Sequence, residues 1–139
     1  MKLSSRSLAR LNGVHPDLVL VVKRCVADWK DAKMDFGITC GVRTLEEQRV
    51  LVRNGKSTTL RSRHIPAANG FSHAVDVVAL IGGSANWDLP NYAKIAKAMK
   101  TAAKAEKVPI EWGGDWSSFI DGPHFQLPWK QYPGTKKGK

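Results

Sequence analysis

The sequence has few cysteines and no long apolar run. Cys25 and Cys40 are the only two cysteines, and they form neither a Cys-x-x-Cys pair nor a set of zinc ligands. We interpret both as small buried residues of a protein made in a reducing compartment, with a disulfide between them as the alternative. The apolar run over 18–22 is too short for a signal peptide or a membrane span. The sequence therefore predicts neither.

Acidic residues are scarce relative to basic ones. Twelve Asp and Glu stand against 22 Lys and Arg, which gives a formal net charge of +10. Such an excess indicates an anionic partner, which could be nucleic acid, an anionic lipid surface or a bacterial envelope. The basic residues are spread along the chain and cluster only over 136–139. Because no nucleic-acid-binding motif accompanies them, the sequence argues against nucleic acid and favours attraction to an anionic envelope.

Apolar residues at helical spacing predict three helices, around 8–11, over 17–30 after Pro16, and over 91–107. A fourth helix is indicated by the capping box Thr44-Leu45-Glu46-Glu47, and it extends to about residue 54, where Gly55 ends it.

Strand-like segments alternate with these helices, and Gly82-Gly83 predicts a turn between two of the elements. The region over 55–72 is a long basic loop, and such length without regular structure is typical of a functional loop. The pattern predicts one α+β domain over 1–139, with a core over 4–128 and a basic tail over 129–139. The predicted strands lie over 35–42, 75–80, 110–112 and 124–127.

Four residues carry the chemistry of a metal-dependent hydrolase. Asp121 precedes His124 by three residues, and His64 and Asp76 lie upstream. A catalytic zinc takes about three protein ligands and keeps a position for water, whose pKa falls to about 7. His64, Asp76 and His124 fit that ligand count. Asp121 is then the acid placed to take a proton from the water and to pass it to the leaving amine.

These residues resemble a known family in their order and surroundings. Ser62-Arg63-His64, His73-Ala74-Val75-Asp76, Trp112 to Trp116 and Asp121-x-x-His124 are similar to the zinc DD- and LD-peptidases. That group includes D-Ala-D-Ala carboxypeptidases and dipeptidases and the bacteriophage L-alanyl-D-glutamate endolysins. The likeness to the small phage endolysins covers about residues 4–127. It implies a hedgehog- or DD-peptidase-like fold, a small antiparallel sheet with flanking helices, and one zinc ion held by His64, Asp76 and His124.

The chain departs from the family motif in one place. The family has six residues between the first zinc-binding His and the Asp, whereas eleven separate His64 from Asp76 here. The extra length contains Pro66, Asn69 and Gly70, so we predict an enlarged surface loop. His73 is the alternative ligand. If a strand begins there, positions 73 and 76 point to opposite faces, which favours His64.

Other residues are predicted to bind the substrate. Arg43 matches the family's substrate arginine, and its guanidinium could hold a carboxylate or stabilise an oxyanion; the alternative is an ion pair with Glu46 or Glu47. Four further residues are weaker candidates because they flank the motifs or could line the cleft: Gln48, Ser62, Trp112 and Trp116.

The resemblance implies a zinc peptidase that cuts the stem peptide of peptidoglycan, at the bond between L-Ala and D-Glu. The enzyme alternative is a D-Ala-D-Ala carboxypeptidase or dipeptidase. The non-enzyme alternative is a cell-wall-binding module that keeps the metal site without catalysis, although Asp121 would then have no use as a proton shuttle. The family also implies a monomer made in the host cytoplasm, which reaches the wall after release by a holin.

Overall fold

The computed structural model describes residues 1–57 and 59–134. The basic cluster over 136–139 lies outside the described residues. A 3-10 helix covers Gly113–Asp115, and the expected α+β class is confirmed by four α-helices and five strands in the described ranges. They are α1 (Ser5–Ala9), α2 (Pro16–Ala27), β1 (Met34–Cys40), α3 (Leu45–Arg53), β2 (Ala74–Ile81), β3 (Ser84–Asn86), α4 (Leu89–Glu106), β4 (Glu111–Trp112) and β5 (His124–Gln126).

The strands form one antiparallel sheet in the order β1-β2-β5-β4, and β3 pairs with the C-terminal end of β2. β2 is the central strand, and its side chains alternate between the two faces. Val75 and Val77 are fully buried in the core. Asp76, which lies between them, therefore points to the opposite face, where the functional residues collect.

The core lies between the sheet and helices α2 and α4. The apolar residues of α2 follow helical spacing and are buried, as are those of α4 from Tyr92 to Ala103. Burial of this kind stabilises the fold by about 25 cal/mol per Å² of apolar surface. The functional face of the sheet is thus supported from the other side by this buried core. No helix in the described part of the chain combines the length and the apolarity that a membrane span requires.

The predicted capping box forms. Thr44 Oγ1 accepts a hydrogen bond from the Glu47 backbone N at 3.0 Å, and the Thr44 backbone N donates to Glu47 Oε1 at 2.9 Å. Because this fixes the start of α3, it also fixes the direction of the chain at Arg43, the residue before the cap.

The structure differs from the predicted elements most clearly at α1, α2, β1 and β3. α1 covers Ser5–Ala9, earlier than the helix predicted around residues 8–11. α2 ends at Ala27, three residues earlier than expected. β1 ends at Cys40, earlier than predicted, and the next residue, Gly41, lies so close to the Arg10 carbonyl that a Cβ would not fit there. The predicted turn at Gly82 and Gly83 is present, with positive φ at both residues. The strand that follows it, β3, was not predicted because it is short and lacks β-branched residues.

The segment after β5 is held by Arg63. This buried side chain donates from Nε and Nη2 to the Leu127 carbonyl at 3.2 and 3.0 Å, and from Nη2 to the Tyr132 carbonyl. Its guanidinium carbon lies 4.0 Å from the centroid of the Trp129 ring. Arg63 therefore ties the loop that carries His64 to the C-terminal segment.

Replacing Arg63 by Met should destabilise the protein by about 2–4 kcal/mol, because the change keeps the volume but leaves buried carbonyl groups without donors. Denaturant unfolding measures this free energy. Arg61→Met is the matched control, since Arg61 also lies near Trp129 but is exposed, and it should change stability by less than about 0.5 kcal/mol. Equal effects of the two substitutions would contradict the assigned role of Arg63.

Candidate active site

Strand pairing places Asp76 beside His124. The two residues are direct partners in the β2–β5 register, and directly opposite residues of antiparallel strands point to the same face. His124 Nδ1 lies 3.1 Å from Asp76 Oδ1. Its other ring nitrogen, Nε2, lies 2.8 Å from Gln126 Oε1. Since that amide oxygen only accepts, Nε2 carries the proton and Nδ1 is left with its lone pair.

The long loop brings His64 to the same carboxylate. His64 is 1% exposed, and its backbone carbonyl accepts from the Arg43 backbone N at 3.0 Å. The ring Nδ1 donates to the Gly41 carbonyl at 2.8 Å. Nε2 therefore faces Asp76 Oδ1 at 3.1 Å, and it has no hydrogen-bond partner among the described residues.

This arrangement fits a metal ion. Two imidazole nitrogens converge on one carboxylate oxygen, and one of them is a buried atom with no hydrogen-bond partner in the described ranges. Tetrahedral zinc with bonds of about 2.0–2.1 Å separates its ligand atoms by about 3.3 Å, close to the 3.1 Å between Asp76 Oδ1 and each imidazole nitrogen. Metal-binding imidazoles also donate their second N–H to a fixed acceptor, as His64 does to Gly41 and His124 does to Gln126. The possible ligand atoms form two groups that share Asp76: Cys40, His64 and Asp76, and Asp76, Asp121 and His124. His64, Asp76 and His124 could hold a metal ion through the two contacts to Asp76.

The charges of the cluster are coupled. Burial alone would lower the pKa of His64, but the carboxylate of Asp76 outweighs burial and raises that pKa to about 10. Burial would raise the pKa of Asp76, but the positive charge of His64 holds it well below its usual range. Without a metal the site is therefore an ion pair, and a metal ion bound there would displace the proton of His64.

Asp121 lies beside this cluster. Its carboxylate is within 4.8 Å of the facing atoms of Asp76 and His124, and its backbone N donates to the Gly113 carbonyl at 3.0 Å. A Cβ at Gly113 would collide with the Asp121 carbonyl, so the glycine is what permits this close approach. Burial, followed by the charge of Asp76, raises the pKa of Asp121. A carboxyl in this environment is suited to accept and release a proton.

Arg43 borders the cluster on the β1 side. Its Nη2 lies 3.5 Å from Asp76 Oδ2, and its Nη1 donates to Gln48 Oε1 at 2.8 Å. The alternative pairing with the acids of α3 does not form. Glu47 caps the helix, and Glu46 lies 3.7 Å from Arg49.

One cavity of about 530 Å³ contains most of the predicted residues. Its lining includes the residues proposed for metal, proton transfer and substrate: Arg43, Gln48, Ser62, His64, Asp76, Trp116, Asp121 and His124. Ser62 Oγ also accepts from the His64 backbone N at 3.1 Å, and the Trp116 ring lies 5.2 Å from that of His124. Gln48 is buried and ties Arg43 to the loop through the Thr59 carbonyl, 2.6 Å from Gln48 Nε2.

Trp112 does not line this cavity, contrary to the prediction that it contacts substrate. In β4 its neighbour Glu111 takes the cleft face, so Trp112 points to the core face. There its ring stacks at 6.5 Å on Phe125, and Nε1 donates to the Gly122 carbonyl. Trp112 therefore holds the segment that contains Asp121 from the core side of the sheet.

His73 also lies away from the cluster. Its Nε2 is 3.1 Å from Asn69 Nδ2, and its ring packs 5.3 Å from His15. Burial, with the nearby charge of Arg63, lowers the pKa of His73 to about 4. This placement matches the opposite-face argument for positions 73 and 76.

Several cavity residues were not predicted to have a role there. Glu111 and Gln126 are two of them. Gln126 follows His124 by two residues and so shares its face, and Glu111 is the direct strand partner of Gln126. Cys40 faces Asp76 from β1, with Sγ 3.7 Å from His64 Nδ1; both cysteines are free. Four further lining residues lie outside the motifs: Lys56 and Arg61 come from the long basic loop, and Phe119 and Trp129 come from the segments before and after β5.

A buried cluster of two imidazoles and a carboxylate, with a further acid and an arginine beside it, is typical of a metal-dependent hydrolase. The family model described as phage L-alanyl-D-glutamate peptidase matches residues 1–127. This chain belongs to that family, as the sequence resemblance predicted.

Two relatives agree with the family assignment. The L-alanyl-D-glutamate peptidase of Listeria phage A118 is 35% identical over 136 residues, which are 97% of this chain and 45% of the relative. The chain thus spans less than half the length of that protein. The crystal structure of the L-Ala D-Glu endopeptidase ChiX of Serratia marcescens is 42% identical, with a TM-score of 0.82 over 95% of this chain and 94% of that one. The similarity confirms the expected fold.

Proposed function

We propose that this chain is a zinc-dependent peptidase that hydrolyses the bond between L-Ala and D-Glu in the stem peptide of peptidoglycan. The observation that carries the proposal is the convergence of His64 Nε2 and His124 Nδ1 on Asp76 Oδ1, in a cavity that also holds Asp121 and Arg43. The choice of bond is supported by the family and by the names of the two relatives.

His64, Asp76 and His124 would hold the zinc ion. When bound, zinc supplies a Lewis acid and lowers the pKa of a water molecule from about 15.7 to about 7. Asp121 accepts the proton of the attacking water and gives it to the nitrogen of the departing D-Glu. The raised pKa of Asp121 supports this role, because a proton shuttle works best with a pKa near the working pH.

Arg43 would stabilise the negative charge that develops on the scissile carbonyl oxygen. Its guanidinium is held by Gln48 and Asp76, so little reorganisation is needed when that charge appears. Ser62 and Trp116 line the same cavity and are proposed to contact the peptide. Gln48 acts mainly by holding Arg43.

Incubation with purified peptidoglycan should release peptides that begin with D-Glu and leave L-Ala on the glycan. Mass spectrometry of the soluble and residual fractions identifies both products. Asp121→Asn is the matched control. The amide has the size of the carboxyl group but cannot accept and release the proton, so this variant should release little peptide. Release of free D-Ala would instead indicate a carboxypeptidase, and binding to the wall without any new peptide would indicate a non-catalytic module.

The excess of basic residues supports attraction to an anionic envelope. The formal net charge is +10, and a field of this sign raises the local concentration of the protein at a negatively charged wall or membrane surface. We propose that the protein is made in the host cytoplasm, reaches the wall after holin-type release, and acts there as a monomer.

A further inference from the structure

Arg61 is a cation of the active-site cavity with no role assigned so far. It precedes His64 by three residues and lines the same cavity as Asp76 and Asp121. Its guanidinium carbon lies 4.8 Å from the centroid of the Trp129 ring, a distance at which the ring attracts a cation. The Arg61 backbone N donates to Thr59 Oγ1 at 2.9 Å. Both ends of the residue are therefore restrained.

The guanidinium of Arg61 is available to a ligand. Arg43 is engaged by Gln48 and Asp76, and Arg63 is engaged by backbone carbonyls. Among the residues that the structure describes, no carboxylate lies within 4.0 Å of the Arg61 side chain. A planar guanidinium has five N–H donors and binds a carboxylate through two parallel hydrogen bonds.

The proposed substrate carries a carboxylate near the bond that is cut. The D-Glu nitrogen forms the scissile amide, and glutamate has two carboxyl groups, of which only one can continue the peptide. In the stem peptide the chain continues from the side-chain carboxyl, so the α-carboxylate stays free beside the scissile nitrogen. Asp76, Glu111 and Asp121 also line the cavity and would repel this charge, and a cation beside the α-carboxylate would offset that repulsion.

We propose that Arg61, held on the Trp129 ring, binds the free α-carboxylate of D-Glu and thereby makes the site prefer an unamidated stem peptide. Lys56 is another cavity cation without a carboxylate partner in the described ranges. Arg61 is the better candidate because its planar fork matches a carboxylate and the aromatic contact pre-organises it, whereas an ammonium group is a flexible point charge. The inference rests on the proposed cleavage of the L-Ala–D-Glu bond.

The test uses two acetylated peptides that differ in one group. One is N-acetyl-L-Ala-γ-D-Glu-L-Lys, and in the other the α-carboxyl of D-Glu is a primary amide. The native protein should cleave the acid with a kcat/KM about 10-fold or more above that for the amide, as expected for a charge-assisted pair. Arg61→Ala should remove this preference, mainly by raising KM for the acid, and Arg61→Lys should restore part of it. Lys56→Ala should leave the preference intact.

Each other outcome has a definite meaning. If Arg61→Ala lowered kcat/KM equally for both peptides and left the melting temperature unchanged, Arg61 would not be the residue that recognises the α-carboxylate. Retention of the preference by Arg61→Ala, its loss in Lys56→Ala, or a native preference for the amide would also overturn the proposal. If the native protein cleaved both peptides equally well, the result would support the proposed cleavage and contradict the proposed carboxylate-binding role of Arg61. If it cleaved neither these peptides nor peptidoglycan, the proposed function itself would fail.

Discussion

Replacing His64, Asp76 or His124 by Ala should remove the bound zinc and reduce hydrolysis to the background of the assay. The native protein should carry about one zinc per chain, because the three side chains together supply the usual number of protein ligands. Loss of any one leaves two ligands and removes the activated water. Elemental analysis of the purified variants measures zinc, and cleavage of a stem peptide measures activity.

His73→Ala is the matched control for this experiment. His73 is also a buried histidine next to the central strand, but its ring packs against His15 and lies outside the metal-binding clusters of the described residues. The variant should therefore keep its zinc. Zinc retained by His64→Ala and lost by His73→Ala would reverse the proposed ligand assignment.

Asp121→Ala should keep the zinc and the fold and lose about 10²- to 10⁴-fold in kcat, the usual contribution of a general acid-base group. Partial burial, followed by the nearby charge of Asp76, raises the pKa of the Asp121 carboxyl. The substitution therefore removes the group best suited to move a proton without removing a proposed ligand. Zinc content, the far-ultraviolet spectrum and single-turnover kinetics separate these effects.

Asp115→Ala provides the comparison for Asp121. Asp115 belongs to the same segment but is exposed, pairs with Lys100 at 2.6 Å and does not line the cavity. Its removal should leave turnover within about twofold of native, as for most surface substitutions. Near-native turnover in Asp121→Ala would transfer the role to another acid, and Glu111 would be tested next because it lines the cavity.

Local patterns predicted the helices and strands well. The capping box at Thr44 and Glu47 gave the start of α3, and the glycine pair at 82 and 83 gave the turn after β2. These features depend on residues a few positions apart, so the sequence contains all the information they need. β3 was not predicted, because its three residues have low strand propensity and pair only because β2 already lies beside them.

The insertion between His64 and Asp76 shows where local information ends. Proline, asparagine and glycine predicted a loop, and the described part of this region contains no helix. Its packing depends on a distant segment, since the Asn69 backbone N donates to the Gly134 carbonyl at 3.1 Å. No local pattern links residues 65 positions apart.

The sequence by itself determined the family, the α+β class and the motif residues His64, Asp76, Asp121 and His124, because motif residues keep their order and identity. Only the tertiary structure decided which nitrogen of each imidazole faces Asp76, that Glu111 rather than Trp112 faces the cleft, and that Arg61 lies on Trp129. These features depend on strand register and on contacts between distant segments. A shift of one residue in register would turn every side chain of a strand to the other face, so only the packed sheet fixes them.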